Sequence, residues 1–281
     1  MRIRFKKWAR PELAASPFCM DDAFALAGNW RAQFAKPEQP FYVELGCGKG
    51  GWVSQAAVLH PECNYLALDI KSEMLGMAKR KTEKAFAEAG REPDNIRLSI
   101  LNIERFSEVL TPADAVDRIY INFCNPWPKE GHKKRRLTHP RQLRQYAAVL
   151  RGELHFKTDD RDLFEESLEY FTESGWEILH QTFDLHADEP ADNIRTEHEN
   201  MFTEMGKKIN FLIAKPPADA FGKPVPNLHA PETVKLLRAL EKQHGIGILT
   251  DEEFERQKQF ILNNAQAQEA AHEEGMEVEE T

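Results

Sequence analysis

The chain has 281 residues, of which 41% are hydrophobic, and it carries a formal net charge of −9. This length accommodates one large α/β domain with an extension, and no apolar run approaches the roughly 18 residues of a membrane span. The four cysteines are widely spaced and form no C-x-x-C pair, which predicts a reduced, cytoplasmic protein without a zinc site or other metal.

Apolar runs alternate with helical stretches along most of the chain. In chain order, the predicted strands are F-Y-V-E-L, N-Y-L-A-L-D-I, I-R-L-S-I-L-N, V-D-R-I-Y-I-N-F, E-L-H-F-K, W-E-I-L-H-Q-T-F and I-N-F-L-I-A-K. Helices are predicted over residues 51–60, 72–89 and 160–174, with Ser72 as the N-cap of the second. The alternation predicts a seven-stranded, mostly parallel sheet with helices on both faces. No helix separates the last two strands, so the final strand is predicted to be inserted antiparallel.

Changes in composition divide the chain into four predicted segments. The first is an α/β domain over residues 1–216, which begins with a basic N-terminal arm and lead-in over 1–35. It is followed by a Pro-rich linker (217–228), a helical extension (229–264) and an acidic, disordered tail (265–281). In the extension, Thr250 and Glu253 are predicted to form a helix capping box.

The run V-E-L-G-C-G-K-G-G at residues 43–51 joins the first predicted strand to the first helix. Gly46, Gly48 and Gly50 fit G-x-G-x-G, a pattern typical of enzymes that bind S-adenosylmethionine (SAM). Gly46, Gly48 and Gly51 fit G-x-G-x-x-G, the pyrophosphate turn of NAD and FAD enzymes. The loop by itself therefore leaves two cofactors open.

Polar residues stand at the carboxyl ends of the predicted strands, where ligands bind in sheets of this kind. They are Glu44, Asp69, Asn102, Asn125, T-D-D at 158–160 and, in a long polar loop, T-E-H-E at 196–199. A carboxylate at Asp69 suits the ribose hydroxyls of SAM and NAD alike. Structural roles remain as alternatives, because Asp69 and residues 158–160 can cap helices and Asn102 can be an ordinary turn residue.

The chain also contains two basic clusters, although its net charge is negative. From residue 217 onward there are 13 acids and 6 bases, so residues 1–216 are near neutral. Residues 2–10 contain five bases and no acid, and residues 129–144 contain seven bases and one acid. Local clusters, rather than total charge, decide whether a phosphate backbone binds.

The second cluster begins with N-P-W-P-K-E-G-H-K-K-R-R, directly after a strand. A target base can stack on the Trp127 ring while the Asn125 amide bonds its edge. The basic side chains predicted to contact nucleic-acid phosphates are Lys133, Lys134, Arg135 and Arg136. The alternative is a solvated basic loop.

Taken together, these motifs resemble the bacterial tRNA (guanine-N7-)-methyltransferase family, whose members methylate the variable-loop guanine (nucleotide 46) of tRNA. The resemblance covers residues 1–216 and rests on M-R-x-R, E-L-G-C-G-K-G, N-F-C-N-P-W-P-K-x-x-H-x-K-R-R-L, H-F-K-T-D and T-E-H-E. It implies a class I, Rossmann-like SAM-dependent methyltransferase fold, with SAM as cofactor and tRNA as partner. The resemblance then implies that the pattern of Gly46, Gly48 and Gly50, rather than the one that ends at Gly51, binds the cofactor.

The resemblance also assigns residues to the site. The implied SAM-binding residues, besides the three glycines, are Glu44, Asp69, Asn102 and Asn125, the last at the catalytic position. The implied guanosine or tRNA contacts are Lys129, Asp159, Thr196, Glu197, His198 and Glu199. Residues 229–264 faintly resemble short C-terminal modules that mediate oligomerisation, which implies self-association.

Two positions depart from the family pattern: Asn125 stands where Asp is common, and His198 where Tyr is usual. Guanine N7 carries a lone pair and no proton, so its methylation needs no general base. We therefore predict that Asn125 is compatible with activity. The alternatives are an amino methyltransferase acting on another base, suggested by N-P-W-P, an NAD-dependent oxidoreductase, and an inactive tRNA-binding relative.

Overall fold

The computed structural model describes residues 5–223, 236–237, 240–241, 243–245, 250–259 and 261–262. The chain divides into two compact units, Met1–Gly222 and Lys223–Thr281. In the second unit, residues 251–259 are helical, and the predicted capping box is confirmed: the Glu253 N–H donates to Thr250 Oγ1 (3.3 Å), and the Thr250 N–H donates to Glu253 Oε2 (3.0 Å). The start of the basic arm, most of the linker and extension, and the acidic tail lie outside the described residues, and their ranges stay predictions.

The described residues form one eight-stranded sheet. Its strands are β1 (Cys19–Met20), β2 (Phe41–Leu45), β3 (Asn64–Asp69), β4 (Ile96–Ile100), β5 (Val116–Asn122), β6 (Leu150–Thr158), β7 (Glu177–Thr182) and β8 (Asn210–Lys215). Their spatial order is β1-β4-β3-β2-β5-β6-β8-β7. Strand β8 is antiparallel to both β6 and β7, and the remaining pairs are parallel. This confirms the predicted strands and the antiparallel insertion of the last one. The unpredicted β1 is too short to show a sequence period.

Within residues 5–223 the α-helices are α1 (Ala9–Ala14), α2 (Gly51–Leu59), α3 (Ser72–Glu88), α4 (Pro140–Val149), α5 (Arg161–Glu173) and α6 (Glu197–Glu204). Helices α2, α3 and α5 match the predicted ones. Ser72, however, is the first helical residue of α3, and Lys71 occupies the N-cap without a side-chain bond. Helices α4 and α6 were not predicted, and α6 occupies what the sequence suggested was a polar loop.

The sheet positions the site through the order of its central strands. Strands β2 and β5 are parallel neighbours, but the chain continues from β2 to β3 on one side and from β5 to β6 on the other. The loops that follow β2 and β5 therefore diverge at the same edge of the sheet. Strand β3 is buried at five consecutive residues, as expected of a strand covered on both faces. No helix in the described part of the chain combines the length and apolar character that crossing a membrane requires.

Candidate active site

The glycine loop after β2 is held by Asp69. Gly46, Gly48 and Gly50 have φ values of 72°, 55° and 69°, in the left-handed region that favours glycine. Asp69 Oδ2 accepts from the Gly48 N–H at 2.9 Å, and Oδ1 accepts from the Lys71 N–H at 2.8 Å. Burial raises the pKa of Asp69, and these two N–H donors oppose that rise. Asp69 thus fixes the loop and the start of α3.

Gly50 has a packing role that differs from its predicted contact with the cofactor. A Cβ added at this residue would lie 2.7 Å from the Cβ of Ala78 in α3. Gly50 also provides the N-cap of α2. The absence of a side chain here allows α2 to start directly against α3.

Glu44, at the end of β2, is the buried acid of the site. It is 4% exposed, and its Oε1 accepts from the Asn122 side-chain amide at 3.0 Å. Burial raises the pKa of Glu44 to about 8, opposed by the Asn122 hydrogen bond, the Lys157 charge and the Val53 N–H. Glu44 Oε2 and Asn122 Oδ1 are buried and have no hydrogen-bond partner of acceptable geometry among the described residues. These two oxygens are therefore able to accept hydrogen bonds from a bound ligand.

A pocket of about 180 Å³ lies at this edge of the sheet. Its lining residues are Glu44, Gly46, Cys47, Gly48, Lys49, Gly51, Trp52, Met74, Asn122, Phe123, Thr196, Glu197 and His198. The structure thus brings together predicted residues from the glycine loop and from T-E-H-E, although they are about 150 positions apart in the sequence.

Four predicted cofactor residues are absent from the pocket lining: Gly50, Asp69, Asn102 and Asn125. Asn102 caps the 3₁₀ turn Ile103–Glu108, where its Oδ1 accepts from the Glu104 N–H at 3.2 Å. Asn125 is exposed, and its Oδ1 accepts from the Trp127 N–H at 3.1 Å. The structure thus supports the turn role for Asn102 and shows the same kind of local bond at Asn125.

The T-E-H-E motif begins α6 and divides into two kinds of residue. Thr196 and Glu199 are buried and form a capping box, with the Glu199 N–H donating to Thr196 Oγ1 at 2.9 Å. Glu197 and His198 are exposed at the pocket, where Glu197 pairs with Lys81. The spacing T-x-x-E signals such a cap in the sequence, so this helix start was predictable.

Asn122 and Phe123 are pocket residues that the sequence analysis missed. The fourth predicted strand, V-D-R-I-Y-I-N-F, includes both residues, so the sequence placed the site after it, from Asn125, whereas β5 ends at Asn122. Phe123 has a φ of 53°, unusual for a residue with a side chain, and its ring stacks against His198 with centroids 6.1 Å apart. Strain of this kind is concentrated at functional sites.

The basic segment after β5 contains fewer available cations than its sequence suggested. Arg136 is buried, its Nε donating to the Pro126 carbonyl at 2.7 Å and its Nη1 to Glu166 at 2.6 Å. Lys133 pairs with Glu166 at 2.9 Å. Arg136 is therefore unavailable to a phosphate, which corrects its predicted role.

The other predicted basic contacts lie at the surface, whereas the predicted acid Asp159 has a side chain that is only 17% exposed. Lys129 and Lys134 are exposed, as is Arg135, whose guanidinium lies 5.2 Å from the centroid of the Trp127 ring. Asp159 pairs with Lys207 at 2.5 Å. These groups remain available to a polar ligand because surface ion pairs exchange readily.

One group of potential metal ligands occurs within the described residues. Ligand atoms of His186, Glu189 and Glu199 lie within 4.8 Å of one another. Glu199 already accepts from Lys157 at 3.0 Å, and Glu189 pairs with Arg195. These side chains therefore already have hydrogen-bond and ion-pair partners within the chain. The predicted absence of a metal stays a prediction.

The residues present fit SAM. The unpaired oxygens of Glu44 and Asn122 suit a donor group such as the ammonium of its methionine part. A Cβ added at Gly46 or Gly48 would make only ordinary contacts, at 3.5 Å from Leu137 and 3.6 Å from Met74, so it is the left-handed φ that favours glycine at these two positions. With the sheet order and the loop after β2, these features define a class I SAM-dependent methyltransferase.

Comparisons with known proteins agree with this class. A family described as "Putative methyltransferase" matches residues 38–212. The tRNA (guanine-N(7)-)-methyltransferase of Clostridium beijerinckii is 54% identical over 216 residues, which are 76% of this chain and 98% of that protein. The enzyme of the same name from Clostridium perfringens is 52% identical over 217 residues, 76% of this chain and 99% of that one. The chain belongs to the tRNA (guanine-N7-)-methyltransferase family.

Proposed function

We propose that the protein transfers the methyl group of SAM to N7 of the variable-loop guanine, nucleotide 46, of tRNA, giving 7-methylguanosine. One observation carries the proposal. The pocket that joins Glu44 and the glycine loop to Glu197 and His198 lies in a chain that is 54% identical to a tRNA (guanine-N(7)-)-methyltransferase over 98% of that enzyme.

The residues of the site bind and align the two substrates. When bound, SAM supplies an activated methyl group on a sulfonium. Glu44 and Asn122 hold its methionine part through their free acceptor oxygens, and Asp69 and Asn102 contribute to the nucleoside side. Because guanine N7 needs no deprotonation, alignment of the reacting atoms is the main contribution of the protein, and it can supply about 7–11 kcal/mol.

On the guanosine side, Lys129, Asp159, Glu197 and His198 make the contacts, and the buried Thr196 and Glu199 contribute by fixing α6. The arm and the exposed bases of the basic segment contact phosphates. Because the target guanine is engaged within the folded tRNA, exposing it costs about a few kcal/mol, which these contacts offset.

A labelled-methyl assay tests the proposed function. The full chain is incubated with methyl-labelled SAM and a tRNA transcript, and the modified base is mapped by chain cleavage. Borohydride reduces the cationic imidazolium ring of 7-methylguanosine and the base is then lost, so aniline-catalysed β-elimination should cleave the strand at nucleotide 46. Transfer of label without this cleavage indicates the amino methyltransferase alternative, and tRNA binding without transfer of label indicates an inactive relative.

Asn125 is proposed to accept a hydrogen bond from the guanine edge or to orient the methionine end of SAM. A single hydrogen bond contributes about 0.5–1.5 kcal/mol, so Asn125→Ala is expected to lower kcat/KM by about two- to tenfold in steady-state assays. The exposed Asn29 lies before β2, and Asn29→Ala serves as the control. Unchanged kcat and KM for both substrates would show that Asn125 has no such role.

The pH dependence of SAM binding is expected to follow Glu44. Its pKa of about 8 means that a proton is bound at lower pH in the cofactor-free protein. SAM is cationic and favours the carboxylate, so its affinity should rise as the pH increases towards about 8 and then level off. Calorimetry between pH 6 and 9 measures this. Glu44→Gln should weaken binding and remove the dependence, and a flat wild-type profile would contradict the prediction.

Binding of tRNA is expected to weaken steeply with salt, because each neutralised phosphate releases counterions. Lys134→Ala and Arg135→Ala should each reduce the slope of log K against log salt by about 0.7–0.9. Lys84→Ala, a change at an exposed lysine of α3, should leave the slope unchanged. Fluorescence anisotropy between about 50 and 200 mM salt provides the measurement. A wild-type slope near zero would rule out a phosphate-binding surface.

Two further predictions accompany this function. A tRNA substrate implies that the protein works in the cytoplasm. Self-association through residues 229–264 remains a proposal, because most of these residues lie outside the described part of the chain.

A further inference from the structure

A buried lysine adjoins Asn122 and Glu199, which belong to the two sides of the site, although it does not itself line the pocket. Lys157, on β6, has a side chain that is only 5% exposed. Its ammonium donates to Glu199 Oε2 at 3.0 Å, to the Asn193 side-chain oxygen at 2.7 Å and to the Ile194 carbonyl at 3.1 Å. Burial of an ammonium is tolerated when its protons are satisfied in this way. The mechanism proposed above leaves this lysine without a role.

On the guanosine side, Lys157 holds the Glu199 carboxylate, which lies in the first turn of α6. Glu199 is fully buried. Besides the Lys157 ammonium, the Asn193 amide and the Nε2 of His186 lie 2.9 Å from its Oε1. The same carboxylate closes the capping box of α6. The position of the first turn of α6, which forms one wall of the pocket, therefore depends on the Lys157 charge.

On the cofactor side, the same ammonium acts on Glu44. Burial raises the pKa of Glu44 and lowers the pKa of Lys157, and the mutual attraction of the Glu44 carboxylate and the Lys157 ammonium opposes both shifts. The two residues are connected through Asn122, which is paired in register with Lys157 and donates to Glu44 at 3.0 Å. Of the other titratable groups facing Glu44, Asp69 raises its pKa, and the buried Cys47 thiol has a pKa that Glu44 raises.

We propose that Lys157 is a positioning residue whose ammonium joins Glu44 on the cofactor side to α6 on the guanosine side, so that the two binding sites form together. The identity of the two ligands rests on the proposed function. Binding of SAM beside Glu44 and docking of tRNA against α6 are then energetically coupled, because both depend on one fixed cation. A lysine that only completed the core would leave the two ligands independent.

Two binding measurements on the full chain test this role. The first is the Kd of S-adenosylhomocysteine with and without a tRNA transcript, and in the wild type the tRNA should tighten this Kd by about fivefold or more. The second is the pH midpoint of SAM binding. Lys157→Met keeps an unbranched chain close to the length of the lysine stem and removes the ammonium. It should abolish the tightening and move the midpoint up by about one pH unit or more.

Further variants separate this role from a loss of folding. Lys157→Met leaves the Glu199 charge buried and unpaired, whereas adding Glu199→Gln removes both charges. The double variant should fold and still show no coupling and a raised midpoint. Lys157→Arg keeps the charge and should keep the wild-type midpoint. Lys84→Met changes an exposed lysine that lies 3.7 Å from Glu88, and it should bind both ligands as the wild type does.

Three results would overturn the proposal. They are wild-type coupling and midpoint in the double variant, an equal shift of the midpoint in Lys157→Arg and Lys157→Met, and no coupling in the wild type. Because both measurements record binding, they are independent of the methylation assay. A wild-type chain that shows coupling but methylates no guanine N7 would contradict the proposed function and leave the role of Lys157 intact.

Discussion

Gly50→Ala is expected to lower the free energy of unfolding by about 2 kcal/mol or more and to weaken SAM binding at least about tenfold. The φ of 69° at this position disfavours any residue with a Cβ. The added carbon would also lie 2.7 Å from the Cβ and 3.0 Å from the Cα of Ala78. The loop must then move away from α3. Chemical denaturation and calorimetry measure the two effects.

Gly90→Ala provides the matched control for this change. Gly90 has a similar φ of 65° but has no neighbouring atom within 4 Å of an added Cβ. Its replacement should cost only the conformational strain, about 1–2 kcal/mol, and leave SAM binding unchanged. The difference between the two variants measures the contact with Ala78. Equal losses of stability, with SAM binding retained in Gly50→Ala, would show that this contact is unimportant.

Glu199→Ala is expected to lower the free energy of unfolding by about 3–5 kcal/mol and to reduce methyl transfer below detection. The substitution leaves the Lys157 ammonium buried without its carboxylate, the type of change that costs this much. It also removes the capping box of α6, so the helix loses its fixed start at the pocket. Denaturant unfolding and the labelled-methyl assay measure the two outcomes.

Glu197→Ala, two residues away on the same helix, is the comparison. Glu197 is exposed and pairs with Lys81 at the surface, where ion pairs contribute about 0–1 kcal/mol. This variant should keep near wild-type stability and show its effect in KM for tRNA. If the two variants lost the same amount of stability, the buried network would not have the importance we assign to it.

The strands of the fold were predictable because their sequences are unambiguous. Runs such as Y-L-A-L within N-Y-L-A-L-D-I are apolar and short, as expected of buried strands. The antiparallel insertion of the last strand is confirmed, but the reason for expecting it is wrong, because α6 lies between β7 and β8. The two missed helices carried local signals: α4 begins with Pro140 at its first position, and α6 begins with the Thr196 capping box. The two-residue β1 has no signal of its own, because it exists only through pairing with β4.

The site was predictable where a residue's role depends on its place at a strand end. Glu44, Gly46 and Gly48 line the pocket for this reason. Roles that depend on a distant partner were not predictable. Arg136 looked like one more cation of a basic run, but it is buried against Glu166, 30 residues later on α5. Lys157 lies within a strand, where the sequence gives no indication of the carboxylate 42 residues further on.

The hydrogen bond between Asn122 and Glu44 spans 78 positions of the chain, and this has a consequence for protein synthesis. A chain growing on the ribosome completes the glycine loop and α3 before β5 has been made, and α6 follows later still. Until β5 is made, the nascent chain lacks Asn122, one of the two residues proposed to hold the methionine part of SAM. The early half then depends chiefly on its own packing until β5 pairs with β2.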